Sequence, residues 1–325
     1  MRPQEYVIIK PETGQTYLDN ALAAASKRAL ARRQHRGMDR VMFAKNTEFD
    51  RFSSIRDNLV GALEKLHTSF PSFDRMGEFT LQLFEQDIDV GKVKQSLGAI
   101  NATTTMLKSL TREHAGMVKE AGSVVEIAGI RSRYIGRVSS ILRQSNKHLL
   151  FLNEARDALR NLPSVDDELF TVAIAGFPNV GKSTLLSKLT TAKPEIKPYA
   201  FTTKGLNVGY FDYRYNQIQC IDTPGTLNRK DPNPIERKAD IALKYLAHVV
   251  VYVFDPTEGG YTLSDQHELY RRTADLGKPV LVFISKTDIV GGGVGSALLK
   301  KYPDSYTDIE ALRKAINKAF REEFM

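Results

Sequence analysis

The sequence predicts two domains: an all-α helical bundle over residues 1–163 and an α/β domain with a mostly parallel, three-layer sheet over residues 164–325. Three observations lead to this prediction. Apolar residues recur at helical spacing through the first half. After Pro163, short apolar runs alternate with helical segments, as in parallel sheets. The length of 325 residues also exceeds one ordinary hydrophobic core.

The composition is that of a globular protein, with 42% hydrophobic and 26% charged residues. No apolar run approaches the length of a membrane span, and the first residues contain no signal-peptide pattern. We therefore expect a cytoplasmic chain without a membrane partner. The single cysteine, Cys220, excludes an intrachain disulfide and is expected to be a small buried residue.

The net charge of +8 is unevenly distributed, because residues 1–165 contribute +7. This asymmetry indicates a polyanionic partner for the first half, although a solvated basic surface explains it equally well. One candidate phosphate-contact segment lies on a helix that we expect to begin near Asp19 or Asn20 and to run through Leu30. Its basic residues are Lys27, Arg28, Arg32, Arg33, His35 and Arg36. No aromatic residue interleaves them, which argues against base stacking.

Further helical segments complete the predicted bundle. Apolar stripes run over Asp50–Leu66 and Val93–Val118, and a short helix fits Arg75–Phe84. The last helix extends from about Tyr134 to Leu162, where a proline ends it. We expect these stripes to form the core of an antiparallel bundle rather than a ligand site.

The second half alternates strands and helices. The predicted strands are Leu169–Ala175, Gly205–Tyr213, Gln217–Ile221, His248–Phe254 and Pro279–Ser285. The predicted helices are Thr184–Leu189, Pro234–Leu246, Ser264–Leu276 and Asp308–Phe324. This alternation indicates a mostly parallel sheet covered by helices.

The segment from Gly176 to Ser183 reads GFPNVGKS, the G-x-x-x-x-G-K-S pattern. In such a loop, backbone N–H groups hold phosphate oxygens and the lysine reaches the β- and γ-phosphates. A predicted strand precedes the loop and a predicted helix follows it, which is the context that the motif requires. The residues expected to bind nucleotide here are Asn179, Val180, Gly181, Lys182, Ser183 and Thr184.

Three later signals follow in the order that a nucleotide switch requires. The segment PYAFTTK supplies a threonine hydroxyl for Mg²⁺. In the DTPG segment, Asp222 would hold Mg²⁺ through water, and the N–H of Gly225 would meet the γ-phosphate. In the SKTD segment, the carboxylate of Asp288 can accept both N1–H and N2–H₂ of guanine, which adenine cannot offer. The order and spacing of these signals indicate GTP rather than ATP.

With these motifs the chain resembles translation-factor-related, Obg-type GTPases and, more closely, the Nog family of nucleolar GTP-binding proteins. That family acts in assembly of the large ribosomal subunit. The segments that carry the resemblance are GFPNVGKS, PYAFTTKGLNVGYFDYRY, IDTPG, FLNEARDALRNLPSVD, LEKLHTSFPSFD, INATTTMLKSL and RSRYIGRVSSILRQ. They span nearly the whole chain. Because the long C-terminal extension of the nucleolar members does not follow, we expect a prokaryotic, archaeal form.

The resemblance implies a P-loop GTPase domain preceded by the helical bundle, with GTP or GDP and Mg²⁺ as ligands. Lys182 would bind the β- and γ-phosphates and act in catalysis with Thr203 and Gly225. Ser183, Thr203 and Asp222 would ligate Mg²⁺. The remaining implied contacts are to the base.

At the base, Lys286 would lie along the ring and Asp288 would read it. Asn179 stands where some potassium-stimulated relatives bind K⁺, although an ordinary solvent-facing asparagine fits as well.

Three departures from the family pattern affect the expected activity. Thr226 and Leu227 stand where many GTPases have a glutamine that orients water, so we expect slow intrinsic hydrolysis. Ser285 replaces an asparagine in the base motif, which is expected to loosen a brace onto the phosphate loop and to weaken nucleotide binding. Ser296–Ala297 resembles the last base-contacting turn, but it follows the base-reading aspartate too closely for the usual helix and strand. Either the segment is shortened, or Ser296 begins a helix and is not that turn.

We therefore expect a GTP-binding protein that hydrolyses GTP to GDP and phosphate and acts as a switch in large ribosomal subunit assembly. Its partners would be ribosomal RNA and ribosomal proteins, reached through the basic bundle, and not DNA. The chain is expected to be a monomer. Two alternatives stay open: a nucleotide-gated RNA-binding module with negligible turnover, and a tRNA-directed GTPase.

Overall fold

The computed structural model describes residues 7–32, 39–162, 165–190, 195–197, 206–223, 234–289 and 294–324. The chain divides into two compact units. The helical unit contains Tyr6–Arg75 and Glu85–Arg160, and the α/β unit contains Met76–Phe84 and Asn161–Met325. A short segment of the first half therefore belongs to the second unit, in addition to the chain beyond the expected boundary.

Five α-helices occupy the described part of the first half: α1 (Gly14–Ala31), α2 (Arg40–Ser69), α3 (Glu78–Glu85), α4 (Val90–Glu120) and α5 (Val124–Arg160). All but α3 form the helical unit, in which α1 packs on α2, α2 on α4, α4 on α5 and α5 on α1. Its core is built from the predicted stripes. Side chains exposed by at most 1% include Phe52, Ile55, Leu59, Leu63, Ile100 and Leu107. The predicted bundle is confirmed.

Several helices, among them α1 and α5, begin earlier than the sequence predicts. The hydroxyl of Thr13 accepts the amide N–H of Thr16 and caps α1, so the predicted caps at residues 19 and 20 are wrong and lie inside the helix. Helix α5 begins ahead of Tyr134, because Ser123 Oγ accepts the N–H of Glu126 at 3.2 Å and caps an earlier start. Local side-chain caps, not the first apolar residue, determine both starts.

Helix α3 belongs to the α/β unit. Its Phe79 and Leu83 are 1% and 2% exposed and lie in the same hydrophobic cluster as Phe170. At the start of the helix, Thr80 Oγ1 donates to Asp167 Oδ2 at 2.9 Å. Burial raises the pKa of the Asp167 carboxyl. The α/β core therefore requires a segment that precedes the phosphate loop by about a hundred residues.

The six described strands are β1 (Thr171–Ala175), β2 (Glu195–Lys197), β3 (Leu206–Tyr213), β4 (Asn216–Asp222), β5 (Val249–Phe254) and β6 (Val280–Ile284). They form one sheet in the order β2-β3-β4-β1-β5-β6. Strands β4, β1, β5 and β6 pair in parallel, whereas β2 and β3 add an antiparallel edge. The mostly parallel sheet is confirmed, and β2 is an addition to the prediction.

The helices of the α/β unit after the phosphate loop are α6 (Lys182–Leu189), α7 (Pro234–Ile241), α8 (Leu263–Ala274), α9 (Val294–Lys301) and α10 (Ile309–Phe324). Helix α7 continues as a π-helical turn over Ala242–Leu246. Cys220 of β4 is fully buried, and burial raises the pKa of its thiol to about 12, as expected for an inert core cysteine. Within the described ranges, no helix combines the length and apolar character needed to cross a membrane.

Replacing Phe79 by Ala is expected to lower the free energy of unfolding of the α/β unit by about 3–5 kcal/mol, because the truncated ring leaves a cavity in a closed core. Native-state hydrogen exchange of β1 and β5 measures this loss. The control Leu150→Ala removes a side chain that is 51% exposed and is expected to change little. If Phe79→Ala accelerates exchange only in α2 and α4, then α3 does not belong to the α/β core.

Candidate functional site

The loop between β1 and α6 has a backbone shaped to hold an anion. Gly176, Asn179 and Gly181 have φ values of 140°, 65° and 99°. A Cβ at Gly176 would lie 2.8 Å from the carbonyl oxygen of Val253, so only glycine fits there. Gly181 is the N-cap of α6 and provides no side-chain cap. The first N–H groups of α6 are therefore left for a ligand such as phosphate.

Lys182 lies across this loop. Its side chain is buried, and Nζ donates to the carbonyl oxygen of Phe177 at 2.8 Å. The neighbouring Val180 is buried, whereas Asn179, Ser183 and Thr184 are exposed. The predicted phosphate-binding residues thus form one continuous turn with an ammonium group beside it.

Ser183 and Asp222 meet across 39 residues of sequence, and Ser183 Oγ donates to Asp222 Oδ2. Asn207 Nδ2 donates to the same oxygen at 3.2 Å. The second carboxylate oxygen, Oδ1, is buried and has no hydrogen-bond partner among the described residues. A hydroxyl beside a carboxylate offers the oxygen ligands that Mg²⁺ prefers, and the unpartnered oxygen can accept from a metal-bound water. The two predicted ligands that the structure describes therefore fit the metal.

Asn207 is a residue that the motifs do not mark. It lies on β3 directly opposite Asp222 of β4 in the antiparallel register. The sequence does offer one signal for Asn207. It is a polar residue opposite a candidate metal ligand in a predicted hairpin, and directly opposed side chains in a sheet are neighbours.

Ser285 follows β6 and contacts the phosphate loop. Its Oγ lies 2.8 Å from the carbonyl oxygen of Val180 and 3.0 Å from that of Phe254. A Cβ built at Gly181 would lie 3.7 Å from Cβ of Ser285. Because the two segments approach this closely, the short hydroxyl still reaches the loop, and the expected loosening of the brace and weaker nucleotide binding stay predictions.

Lys286 is fixed by a buried carboxylate. It has a φ of 52°, and its Nζ donates to Asp255 Oδ2 at 2.5 Å. The other oxygen of Asp255 accepts from N and Oγ1 of Thr257 at 2.9 and 2.6 Å. Burial opposes ionisation of Asp255, but the hydrogen bonds from Lys286 and Thr257 outweigh it and lower its pKa. Asp288, two residues after Lys286, is exposed and open to a ligand.

Gln266 of α8 holds the backbone of this corner. It is 1% exposed, accepts the N–H of Asp255 at 2.8 Å, and donates to the carbonyl oxygens of Asp255 and Tyr261 at 3.0 and 3.1 Å. The motifs mark neither Gln266 nor Asp255. Asp255 directly follows a fully buried strand, which is the one sequence signal that could have found it.

Ser296–Ala297 lies inside α9, so the base-contacting turn expected there is wrong and the helical alternative holds. The last residue that pairs with the sheet, Tyr306, comes ten residues after Ser296. Tyr306 exchanges backbone hydrogen bonds of 2.8 and 2.9 Å with β6 and pairs with it in parallel. Thr307 therefore follows at the edge of the sheet where Asp288 lies. A single paired residue leaves no alternating pattern in the sequence, which explains the error.

Two predicted catalytic residues, Thr203 and Gly225, lie outside the described residues. Thr226 and Leu227, which stand in place of the water-orienting glutamine, lie there as well. Of the predicted site, the structure thus brings together the phosphate loop, two metal ligands and the base motif.

Two family models match the chain. The model described as "NOG1 N-terminal helical domain" matches residues 7–166. The model described as "50S ribosome-binding GTPase" matches residues 171–286. The two matches fall on the helical first half and on the sheet with its phosphate loop.

Individual proteins are also similar to this chain. An uncharacterized protein of Methanocaldococcus jannaschii is 39% identical over 73% of this chain and 67% of its own length. Nucleolar GTP-binding protein 1 of Saccharomyces cerevisiae is 33% identical over 72% of this chain and 37% of its own length, so the match spans little more than a third of that relative. A crystal structure from Plasmodium falciparum described as nucleolar GTP-binding protein 1 is 24% identical, with a TM-score of 0.40 over 50% of this chain and 91% of that chain.

Replacing Asp255 by Asn is expected to weaken guanine-nucleotide binding about 10- to 100-fold, because Lys286 loses a charged hydrogen-bond partner worth about 1.5–3 kcal/mol. Titration with a fluorescent GDP analogue measures the affinity. Asp275→Asn, which neutralises an exposed carboxylate at the end of α8, is the matched control and should bind normally. Normal affinity in Asp255→Asn would show that this ion pair does not position the base motif.

Proposed function

The chain belongs to the Nog1 family of GTP-binding GTPases, and on this basis we propose that it hydrolyses GTP to GDP and phosphate as a switch in large ribosomal subunit assembly. In this proposal the helical unit docks on ribosomal RNA. Support comes from the description "50S ribosome-binding GTPase" of the matching family model and from the nucleolar name of the yeast relative. The +7 charge of residues 1–165 is suited to an RNA partner.

The observation that carries the proposed chemistry is the contact between Ser183 and Asp222 beside the phosphate loop. These two side chains would hold Mg²⁺, with Thr203 as a further ligand. Bound Mg²⁺ neutralises charge on the β- and γ-phosphate oxygens. Lys182 would exchange its contact with the Phe177 carbonyl oxygen for a phosphate oxygen.

Hydrolysis in this site would depend on positioning and electrostatics, because phosphoryl transfer needs little covalent chemistry from the protein. The backbone N–H groups at the start of α6 would hold the phosphates, and the N–H of Gly225 would contact the γ-phosphate. At the base, Asp288 would accept from the guanine edge and Lys286 would lie along the ring. We assign the base-contacting turn to Thr307 instead of Ser296, since Thr307 follows the last strand position.

GTP is expected to bind more tightly than ATP by roughly 10⁴- to 10⁵-fold, because the Asp288 carboxylate, once covered by a base, is strongly penalised if that base offers it no donors. Asp288→Asn is expected to lose GTP and to gain xanthosine triphosphate, since its amide can donate to the carbonyl that replaces the guanine amino group. Competition against a fluorescent nucleotide measures all three affinities. Asp304→Asn, an exposed carboxylate, is the control. Equal affinities for GTP and ATP in the unaltered chain would refute guanine recognition by Asp288.

One observation favours a second candidate, a nucleotide-gated module with negligible turnover. Thr226 and Leu227 stand where many GTPases have a water-orienting glutamine. A short hydroxyl or an apolar side chain cannot hold the attacking water in the same way. Both candidates bind GTP, so a rate measurement must separate them.

Single-turnover hydrolysis is expected to be slow for the isolated chain and to rise at least about 10-fold with large ribosomal subunits, because a partner can supply the missing transition-state contacts. The assay is run in potassium and in sodium, with Asn179→Ala to test for a K⁺ ligand. No acceleration under any condition would favour the module. Acceleration by tRNA but not by large subunits would favour a tRNA-directed GTPase.

A further inference from the structure

Helix α5 carries charge of a single sign over most of its length. Between Glu126 and Glu154 it contains no acidic residue. Its basic residues in this interval are Arg131, Arg133, Arg137, Arg143 and Lys147. Arg131 is paired with Glu48 of α2 at 3.1 Å. The other four are exposed, and none of them forms an ion pair within the part of the chain that the structure describes.

These four residues, Arg133, Arg137, Arg143 and Lys147, form what we call the α5 basic face. At 3.6 residues per turn they share the side of the helix opposite its buried stripe. That stripe consists of Tyr134, Val138, Leu142, Leu149 and Leu152, each at most 1% exposed. The α5 basic face is about 21 Å long at 1.5 Å per residue, enough to face several consecutive phosphates.

Small side chains lie between the charges. Gly129, Ser132 and Gly136 are exposed on the same side of α5. A Cβ built at Gly129 or Gly136 would meet no atom within 4 Å, so the space above the helix is open. A rigid, bulky polyanion can therefore approach the helix backbone while the longer Arg and Lys side chains reach its charges.

The α1 segment that the sequence singles out is a weaker candidate. Arg32 Nε contacts Asp50 of α2 at 2.5 Å, and an Arg28 amino group lies 4.0 Å from the same carboxylate. These two cations are partly neutralised within the protein. Arg33, His35 and Arg36 lie outside the described residues. By contrast, the four exposed cations along one side of α5 have no ion-pair partner among the described residues.

We propose that the α5 basic face is the surface on which the helical unit docks to the phosphate backbone of double-stranded RNA. This inference rests on the proposed ribosomal function. Arg and Lys without exposed aromatic residues contact phosphates rather than stacked bases, so the docking reads no sequence. A membrane partner is disfavoured because the exposed residues between 129 and 147 are polar or glycine, whereas interfacial helices need an apolar face.

The test uses the full chain, with Arg133, Arg137, Arg143 and Lys147 all replaced by Gln. The matched control replaces four exposed basic residues of α2 and α4 by Gln. These residues are Lys65, Lys92, Arg112 and Lys119. Binding to a short RNA duplex of mixed sequence is followed by fluorescence anisotropy over a KCl series. Unchanged far-UV circular dichroism and thermal unfolding establish that the helical unit is folded in both variants, and normal binding of a fluorescent GDP analogue establishes the same for the α/β unit.

Loss of the α5 basic face is expected to reduce the slope of log K against log[salt] by about 3 to 4, because each phosphate contact contributes about 0.9. Between 50 and 200 mM salt, the unaltered chain should then lose about 100-fold more affinity than the α5 variant. The α2/α4 control should keep the slope of the unaltered chain.

Other outcomes overturn the inference in distinguishable ways. If the two variants weaken RNA binding equally, the charge acts diffusely, so the α5 assignment fails while the proposed function stands. If the unaltered chain binds no RNA duplex at any salt concentration, the RNA docking in the proposed function itself fails. If the α5 variant loses binding to phosphatidylserine vesicles but keeps RNA binding, the partner of this face is a membrane.

Discussion

Parallel pairing of β1 with both β4 and β5 is the constraint on which the site depends. The register sets Ile174 beside Asp222 and Ala175 beside Tyr252, so the strands end at one edge of the sheet. Strands β1 and β5 are buried along their whole length, and the apolar core therefore fixes this edge. At this edge, polar residues lie where the strands end. Asp222 ends β4, Asp255 follows β5 and Ser285 follows β6, which gives two carboxylates and a hydroxyl fixed positions at the edge of the sheet that holds the phosphate loop.

Several of these groups are held in arrangements that favour a ligand. The buried Asp222 Oδ1 has no partner among the described residues, and leaving such an atom unpaired costs about 1–3 kcal/mol. A ligand that donates to this oxygen removes that cost, and its binding energy is thereby added to the stability of the fold. Lys182 is held at a carbonyl oxygen, a neutral acceptor, so a phosphate can replace its partner at a net gain in charge attraction. Lys286 has a carboxylate partner, which suits the position along an uncharged base that we propose for it.

The sequence predicts the parts of the site that are local in the chain, and it misses those that depend on distant contacts. The phosphate loop, Asp222 and the base motif each carry their pattern within a few residues. Asp255 has no motif beyond its position after a buried strand, so its contact with Lys286 is what reveals its role, and the role of Asn207 depends on strand register. Ser296 shows the opposite kind of error, in which a short motif matches by chance. A base-contacting turn must follow a helix and a strand position, but Ser296 lies inside the helix α9 and the strand position at Tyr306 comes after it. Helix α3 has an ordinary apolar pattern, and such a pattern does not distinguish packing in the core of the helical unit from packing in the core of the α/β unit.

The distribution of acidic residues, rather than the number of basic ones, determines where the helical unit can attract a polyanion. Glu48 is 4% exposed, and its Oε1 accepts from Arg51 and Arg131, drawing both cations toward α2. Asp50 draws Arg32 in the same way. Each of these carboxylates offsets one positive charge in the field seen by a partner, because the Coulomb terms of opposite charges cancel at distances well beyond their separation. The acid-free interval of α5 escapes this cancellation on its outer side, so the four exposed cations there can act as a directional positive field.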